Sequence, residues 1–180
     1  QKGGLVMYLL RDQIGEEAVN RALRRLIADF GFKSAPYPRS LDLVAALRAE
    51  APADKQALIT DLFEKITLYD VKTRSATATE RPDGRWDVTL VVEARKLYAD
   101  GQGVETEAPL NETFDIGVFS AEPGKPGFEP ANVLLMQRRP LRSGPQTFRF
   151  VTATRPTHAG VDPYNKWIDR ESDDNVEPVD

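Results

Sequence analysis

The sequence predicts an α+β chain, with a helical block of about four helices over residues 1–66 and an antiparallel, immunoglobulin-like β-sandwich with a polar tail over residues 67–180. Two observations carry this. Apolar residues recur at spacings of three and four as far as Ile66, and beyond it β-branched residues alternate with polar ones between closely spaced turn signals, with no helical pattern in between. A third sets the scale: 180 residues, 41% hydrophobic, suffice for one large or two small domains.

The first helix is marked by Val6, Leu10 and Ile14, and the second by Val19, Leu23, Leu26 and Phe30, each set falling on one helical face. Gly15 stops the first and caps the second, whose opening turn carries Glu16 and Glu17, where the helix dipole favours negative charge. Pro36 and Pro38 make the next stretch a loop. Ser40 is the expected cap of a third helix, reinforced by Asp42, faced by Leu43, Val44 and Leu47 and ended by Ala51-Pro52. Asp54 is placed to cap a fourth, whose stripe is Leu58, Ile59, Leu62, Phe63 and Ile66. Val19, Leu23, Leu26, Phe63 and Ile66 are the expected core of the block.

From Thr67 to Thr79 the chain reads as a strand, turned by Arg81-Pro82-Asp83-Gly84-Arg85 into a second strand over residues 86–94. A third begins at Val104–Glu107 and resumes over residues 112–119. Further strands are expected over residues 133–139, 146–152 and 157–161, about seven in all. Residues 162–175 turn polar and read as a tail.

Composition excludes several functions. The net charge of −4, with both signs interspersed, offers no basic field for nucleic acid. The absence of Cys excludes disulfides, zinc thiolates and thiol nucleophiles. No apolar run approaches a membrane span, so the chain itself is expected to be soluble. There is no Gly-x-Ser-x-Gly elbow or phosphate loop, and Gly101-Gln102-Gly103 is a turn.

The opening Lys2-Gly3-Gly4-Leu5-Val6, then Leu9-Leu10, then Ile14-Gly15-Glu16-Glu17 and the amphipathic run from Leu23 to Phe30 resemble the end of the catalytic domain of zinc aminopeptidases of the aminopeptidase N (gluzincin) family. In that family a Tyr-x-Lys-Gly motif opens a helix and an Ile/Leu-Gly-Glu-Glu turn follows; Gln1 matches the x, so the resemblance implies that the catalytic tyrosine precedes this sequence. A start at Gln1-Lys2 without an initiator Met likewise reads as a boundary cut into a longer protein. The β-rich half and the ending Asp162-Pro163, Ile168-Asp169-Arg170, Asp173-Asp174-Asn175 are similar to bacterial relatives whose peptidase is fused to an ABC-type permease. The resemblance implies a membrane-tethered bacterial parent that binds zinc, with partners in its upstream catalytic domain and an ABC-type permease.

Within this chain, no catalytic, cofactor-binding or metal-binding residue is assigned. The family builds its zinc site from His-Glu-x-x-His and a distant Glu, whereas this sequence has the single His158. Asp169, Asp173, Asp174 and Asn175 lack the spacing and the glycine of a calcium loop, so turn and capping roles are preferred. Tyr8 lies past the family motif and is read as packing with its own helix. The chain is therefore expected to be inactive alone and to hold no cofactor, the alternative being a non-catalytic interaction or scaffolding module of a transporter-associated protein. Because Leu5, Val6, Leu9 and Leu10 make the first helix apolar on nearly all sides, self-association through residues 3–14, or fraying of that segment, is expected.

Overall fold

The computed structural model describes residues 2–180, which divide into two compact units, one running to Thr67 and the other from Leu68 to Asp180. The chain is α+β, with four α-helices and eight strands among the described residues.

In the first unit α1 (Lys2–Ile14) and α2 (Glu16–Phe30) meet at Gly15, whose φ of 89° is a left-handed value that a side chain would resist. Its amide closes α1 on the Arg11 carbonyl at 2.9 Å, and Glu16 and Glu17 open α2. α3 (Ser40–Glu50) is capped differently from the sequence expectation. Ser40 is already helical, and the Asp42 carboxylate reaches back to accept the Arg39 amide at 2.8 Å. A carboxylate in the first turn takes an otherwise orphaned donor, so a serine cap is dispensable.

A 3-10 turn (Ala53–Lys55) leads into α4 (Gln56–Phe63). Arg48 of α3 secures it, donating to Thr60 Oγ1 and Glu64 Oε1, each at 2.8 Å. Leu9, Leu10, Ala22, Leu47 and Ile59 are fully buried. Of the residues expected to form this core, Val19 is buried; Leu23, Leu26 and Phe63 are half-buried, and Ile66 is 48% exposed. The inward face of α2 is narrow, being Ala18, Val19 and Ala22, so larger residues one position round fall on its flank. Ile66 is already the first residue of a strand, where its side chain follows a two-residue period rather than the helical stripe. On α1, Val6, Leu9 and Leu10 are buried, while Leu5 is 49% and Tyr8 45% exposed.

In the second unit β1 (Ile66–Glu80) and β2 (Trp86–Ala99) are neighbours joined by a tight turn, where Gly84 takes φ 79° and the Arg81 amide bonds the Arg85 carbonyl at 2.7 Å. Along its other edge β2 pairs antiparallel first with β6 (Gly144–Thr152), then with β3 (Glu105–Ala108). The second sheet runs β5-β4-β7-β8, from β4 (Thr113–Phe119), β5 (Val133–Pro140), β7 (His158–Val161) and β8 (Val176–Pro178).

The third strand foreseen from sequence is thus two strands in different sheets, because Pro109 has no amide to continue the ladder and the chain crosses over at this point. β6 likewise leaves β5 behind and pairs with β2. β4 is buried along nearly its whole length, unlike a half-exposed alternating strand. Gly117 on it leaves room for the Phe119 ring, which a Cβ there would overlap. The two sheets meet where Tyr69 of β1 lies edge-on to Phe114 of β4, with ring centroids 6.3 Å apart.

Candidate functional site

The sequence leaves residues 162–175 as a polar tail, yet Asp162 and Asn175 within them are buried and bonded to the sheets of the second unit. The segment starts where β7 ends. Asp162, 1% exposed with φ 42°, donates its amide to the Asp115 carbonyl at 2.7 Å. Its carboxylate accepts the Lys166 amide at 3.1 Å and the Trp167 amide at 2.8 Å, closing a turn that Asn165, also left-handed at φ 49°, completes. That turn delivers Trp167 into the core, stacked on Phe114 at 4.3 Å and edge-on to Tyr69 at 4.8 Å.

Three aspartates hold this strap. Asp115 of β4 accepts Lys166 Nζ at 2.6 Å and Arg138 Nε of β5 at 3.2 Å, an ion triad with most of its carboxylate buried. Asp162 is pushed up to about 7, because burial disfavours its charged form more than the Trp167 and Lys166 amides favour it, and the charges of Asp115 and Asp169 add to the shift. Asp169 lies against the edge of β1 in a parallel bridge with Tyr69, its Oδ1 accepting the Val71 amide at 3.4 Å while the Arg170 amide bonds the Tyr69 carbonyl at 2.9 Å. Burial raises it to about 6 against the opposing backbone amides.

Beyond the strap, Asn175 is 1% exposed and its carbonyl accepts the Thr73 hydroxyl at 2.7 Å and the Val161 amide at 2.9 Å. Gly160 permits this approach, since a Cβ there would overlap the Asn175 carbonyl. Asp173 is exposed and Asp174 closes a short 3-10 turn. His158 is half-buried on β7, with Nδ1 3.0 Å from the Thr157 hydroxyl. The structure therefore brings Asp169 and Asn175 to β1 and leaves His158 on another strand. Among the described residues, no group of three or more His, Cys, Asp or Glu side chains is gathered where it could hold a metal ion. Tyr8 is 45% exposed, with the Arg11 guanidinium 5.5 Å from its ring centre, one turn along the same helix.

No protein-family model matches the chain, and no curated protein matches it.

The chemistry open to the strap is positional. Asp162 has a carboxyl poised near neutrality, but both oxygens are engaged by backbone amides and the side chain is closed to solvent. Its work is to shape a turn and seat a tryptophan. The signal for that turn was present in Asp162-Pro163-Tyr164-Asn165, a run of turn-forming residues two places before an isolated Trp. Nothing in sequence spacing linked it to Asp115, which lies 47 positions earlier on another strand, as the 2.7 Å bond from the Asp162 amide shows.

In the first unit, a groove of about 220 Å³ between α2 and α3 is bordered by Leu26, Phe30, Ala46 and Asp42. Ile27, Phe32, Tyr37 and Leu41 on the same unit are well exposed, from 61% upward. Among the described residues, no helix is long and apolar enough to cross a membrane.

Proposed function

We propose that this chain is the C-terminal portion of an aminopeptidase N-like zinc metallopeptidase, comprising the helical end of the catalytic domain and an immunoglobulin-like β-sandwich. On this reading the zinc site and the catalytic tyrosine belong to upstream sequence, and the chain is inactive alone. The observation that carries the reading is Gly15: the Ile14-Gly15-Glu16-Glu17 run is a left-handed break between two helices, the first opened by Lys2-Gly3-Gly4. The residues and their order are those of the family's motif and turn. The passage from helices to antiparallel sheets supports it at lower resolution.

The partners that follow from this reading are the upstream catalytic domain and an ABC-type permease in a membrane-tethered bacterial parent. Leu5 and Tyr8, exposed on α1, form a surface through which residues 3–14 self-associate. The test is made on a longer polypeptide that includes the preceding residues. It should bind zinc and release N-terminal residues from peptides, and should lose activity when the tyrosine immediately before Gln1 is changed to Phe. A residue other than tyrosine at that position, or a longer polypeptide without zinc ligands, overturns the catalytic reading.

A second reading is favoured by β5, whose Val133, Leu134, Leu135 and Met136 are all half-buried on a strand at the edge of its sheet. An apolar edge strand suits strand addition by another protein. On that reading the second unit is an interaction or scaffolding module of a transporter-associated protein, and a degraded zinc motif upstream would favour it.

A further inference from the structure

The two sides of the β-rich unit are finished differently. On one, the C-terminal stretch joins β1 to β8. The Arg170 amide bonds the Tyr69 carbonyl at 2.9 Å, and the Thr73 hydroxyl donates to the Asn175 carbonyl at 2.7 Å. Farther along β1, the Asp180 carbonyl accepts the Ala78 amide at 2.8 Å, and the Asp180 amide donates to the Ala76 carbonyl at 3.0 Å. On the other side lie β5, which pairs with β4, and β6, which pairs with β2; among the described residues no further strand pairs with either. An unpaired edge presents a row of N–H and C=O groups that another chain can take up.

The same stretch is where positive charge gathers. Residues 130–161 hold five arginines and no Asp or Glu, in a chain whose net charge is −4. Arg138 is engaged by Asp115, and the Arg155 guanidinium lies 5.3 Å from the centre of the Trp86 ring. Arg139 at the end of β5, Arg142 in the link to β6 and Arg149 on β6 are exposed, and none of the three forms an ion pair among the described residues. Charge placed along an edge strand guards it against pairing. Here it does not, because Val133, Leu134, Leu135 and Met136 are all apolar and the cations stand beyond one end of them. Just past that end, Pro140, Arg142, Gln146 and Phe148 border a hollow of about 420 Å³.

We infer that the β5 edge takes up an extended, acidic segment of another protein as an added strand. The backbone of the segment pairs with residues 133–137, its apolar side chains lie against Val133 to Met136, and its carboxylates meet Arg139 and Arg142. Backbone pairing supplies affinity for any extended chain, whereas arginines select carboxylates. A second copy of this chain fits the edge less well, since β5 against β5 brings two acid-free, arginine-rich stretches to one seam. The inference rests on the reading of the second unit as an interaction module and names the chemistry of its partner.

Random peptides of about nine residues, long enough to span β5, displayed on phage and panned against the whole chain, supply the probe. Enriched sequences should carry Asp or Glu at one end of an alternating apolar run. Synthetic copies should bind at least about tenfold more weakly to the double variant Arg139→Glu, Arg142→Glu, and more weakly as salt rises. Both substituted side chains are exposed, so the variant should keep the amide protection of Leu90 and Ile116. In amide exchange the bound peptide should protect alternate residues among 133–137, because successive N–H groups of an edge strand point to opposite sides. Peptides that protect 133–137 but lack acid, or that bind the double variant equally well, overturn the acidic partner and leave strand addition standing. Failure to obtain any peptide that protects 133–137 overturns both. A concentration-dependent dimer in sedimentation that protects the same residues makes a second copy the occupant and also overturns the inference.

Discussion

The two units solve the same problem, burying enough apolar surface, with different means. In the helical unit the core is aliphatic and small-sided, with Leu9, Leu10, Ala22, Leu47 and Ile59 at its centre, while Ile27, Phe32, Tyr37 and Leu41 stay exposed. In the second unit the core combines aromatic rings with charge: Tyr69, Phe114 and Trp167 pack together beside the Asp115 triad, and Lys96 meets Glu112 at 2.5 Å with both side chains largely buried. A helix buries one stripe and leaves its flanks outside, whereas a strand held between neighbours, as β4 is, can be covered on both faces. The buried carboxylates of the second unit make its stability depend on pH and on exact pairing, whereas the centre of the first unit is filled by aliphatic volume and its polar ties, such as Arg48 to Thr60 and Glu64, lie toward the surface.

Substitutions can sharpen that contrast. The largest effect is expected from Trp167→Ala, which removes the ring stacked on Phe114 and should cost about 3–5 kcal/mol in chemical denaturation. Lys96→Met, which leaves Glu112 without its buried cation, should cost a similar ~3–5 kcal/mol, and Lys96→Met with Glu112→Leu should recover much of it. Recovery of nothing would show that packing rather than charge governs that position. In the helical unit, Leu47→Ala should cost about 2–5 kcal/mol, whereas Leu23→Ala, on a half-buried flank, should fall at or below the lower end of that range. Equal losses at the two positions would remove the distinction between face and flank. Ile27→Ser, at 63% exposure, should change stability by less than about 0.5 kcal/mol.

Where sequence and structure agree, the cause is local. The Gly15 break, the Asp83-Gly84 turn and the period change after α4 each rest on a few neighbouring residues whose conformational preferences leave little choice. What was not legible depends on distant partners. Ile66 belongs to the apolar stripe of α4 by spacing, but strand formation turns it outward. The partner of β6 could not be read from β6 itself, since an alternating strand carries no label for its sheet. Asp162, Asp169 and Asn175 looked like a solvated tail because their polarity was visible and their acceptors and donors, on β1 and β4, were not. As for chemistry, His158 on β7 has the Thr157 hydroxyl at 3.0 Å beside its Nδ1, a neighbour that its place in the sequence already gave.

The proposal that this chain completes a zinc aminopeptidase is tested most directly by metal content and peptide hydrolysis, measured side by side on residues 1–180 and on a polypeptide extended upstream. The extended form should hold one zinc per chain and cleave N-terminal residues, while residues 1–180 alone hold none and cleave nothing. An extended form that folds, binds no zinc and leaves peptides intact would contradict the account.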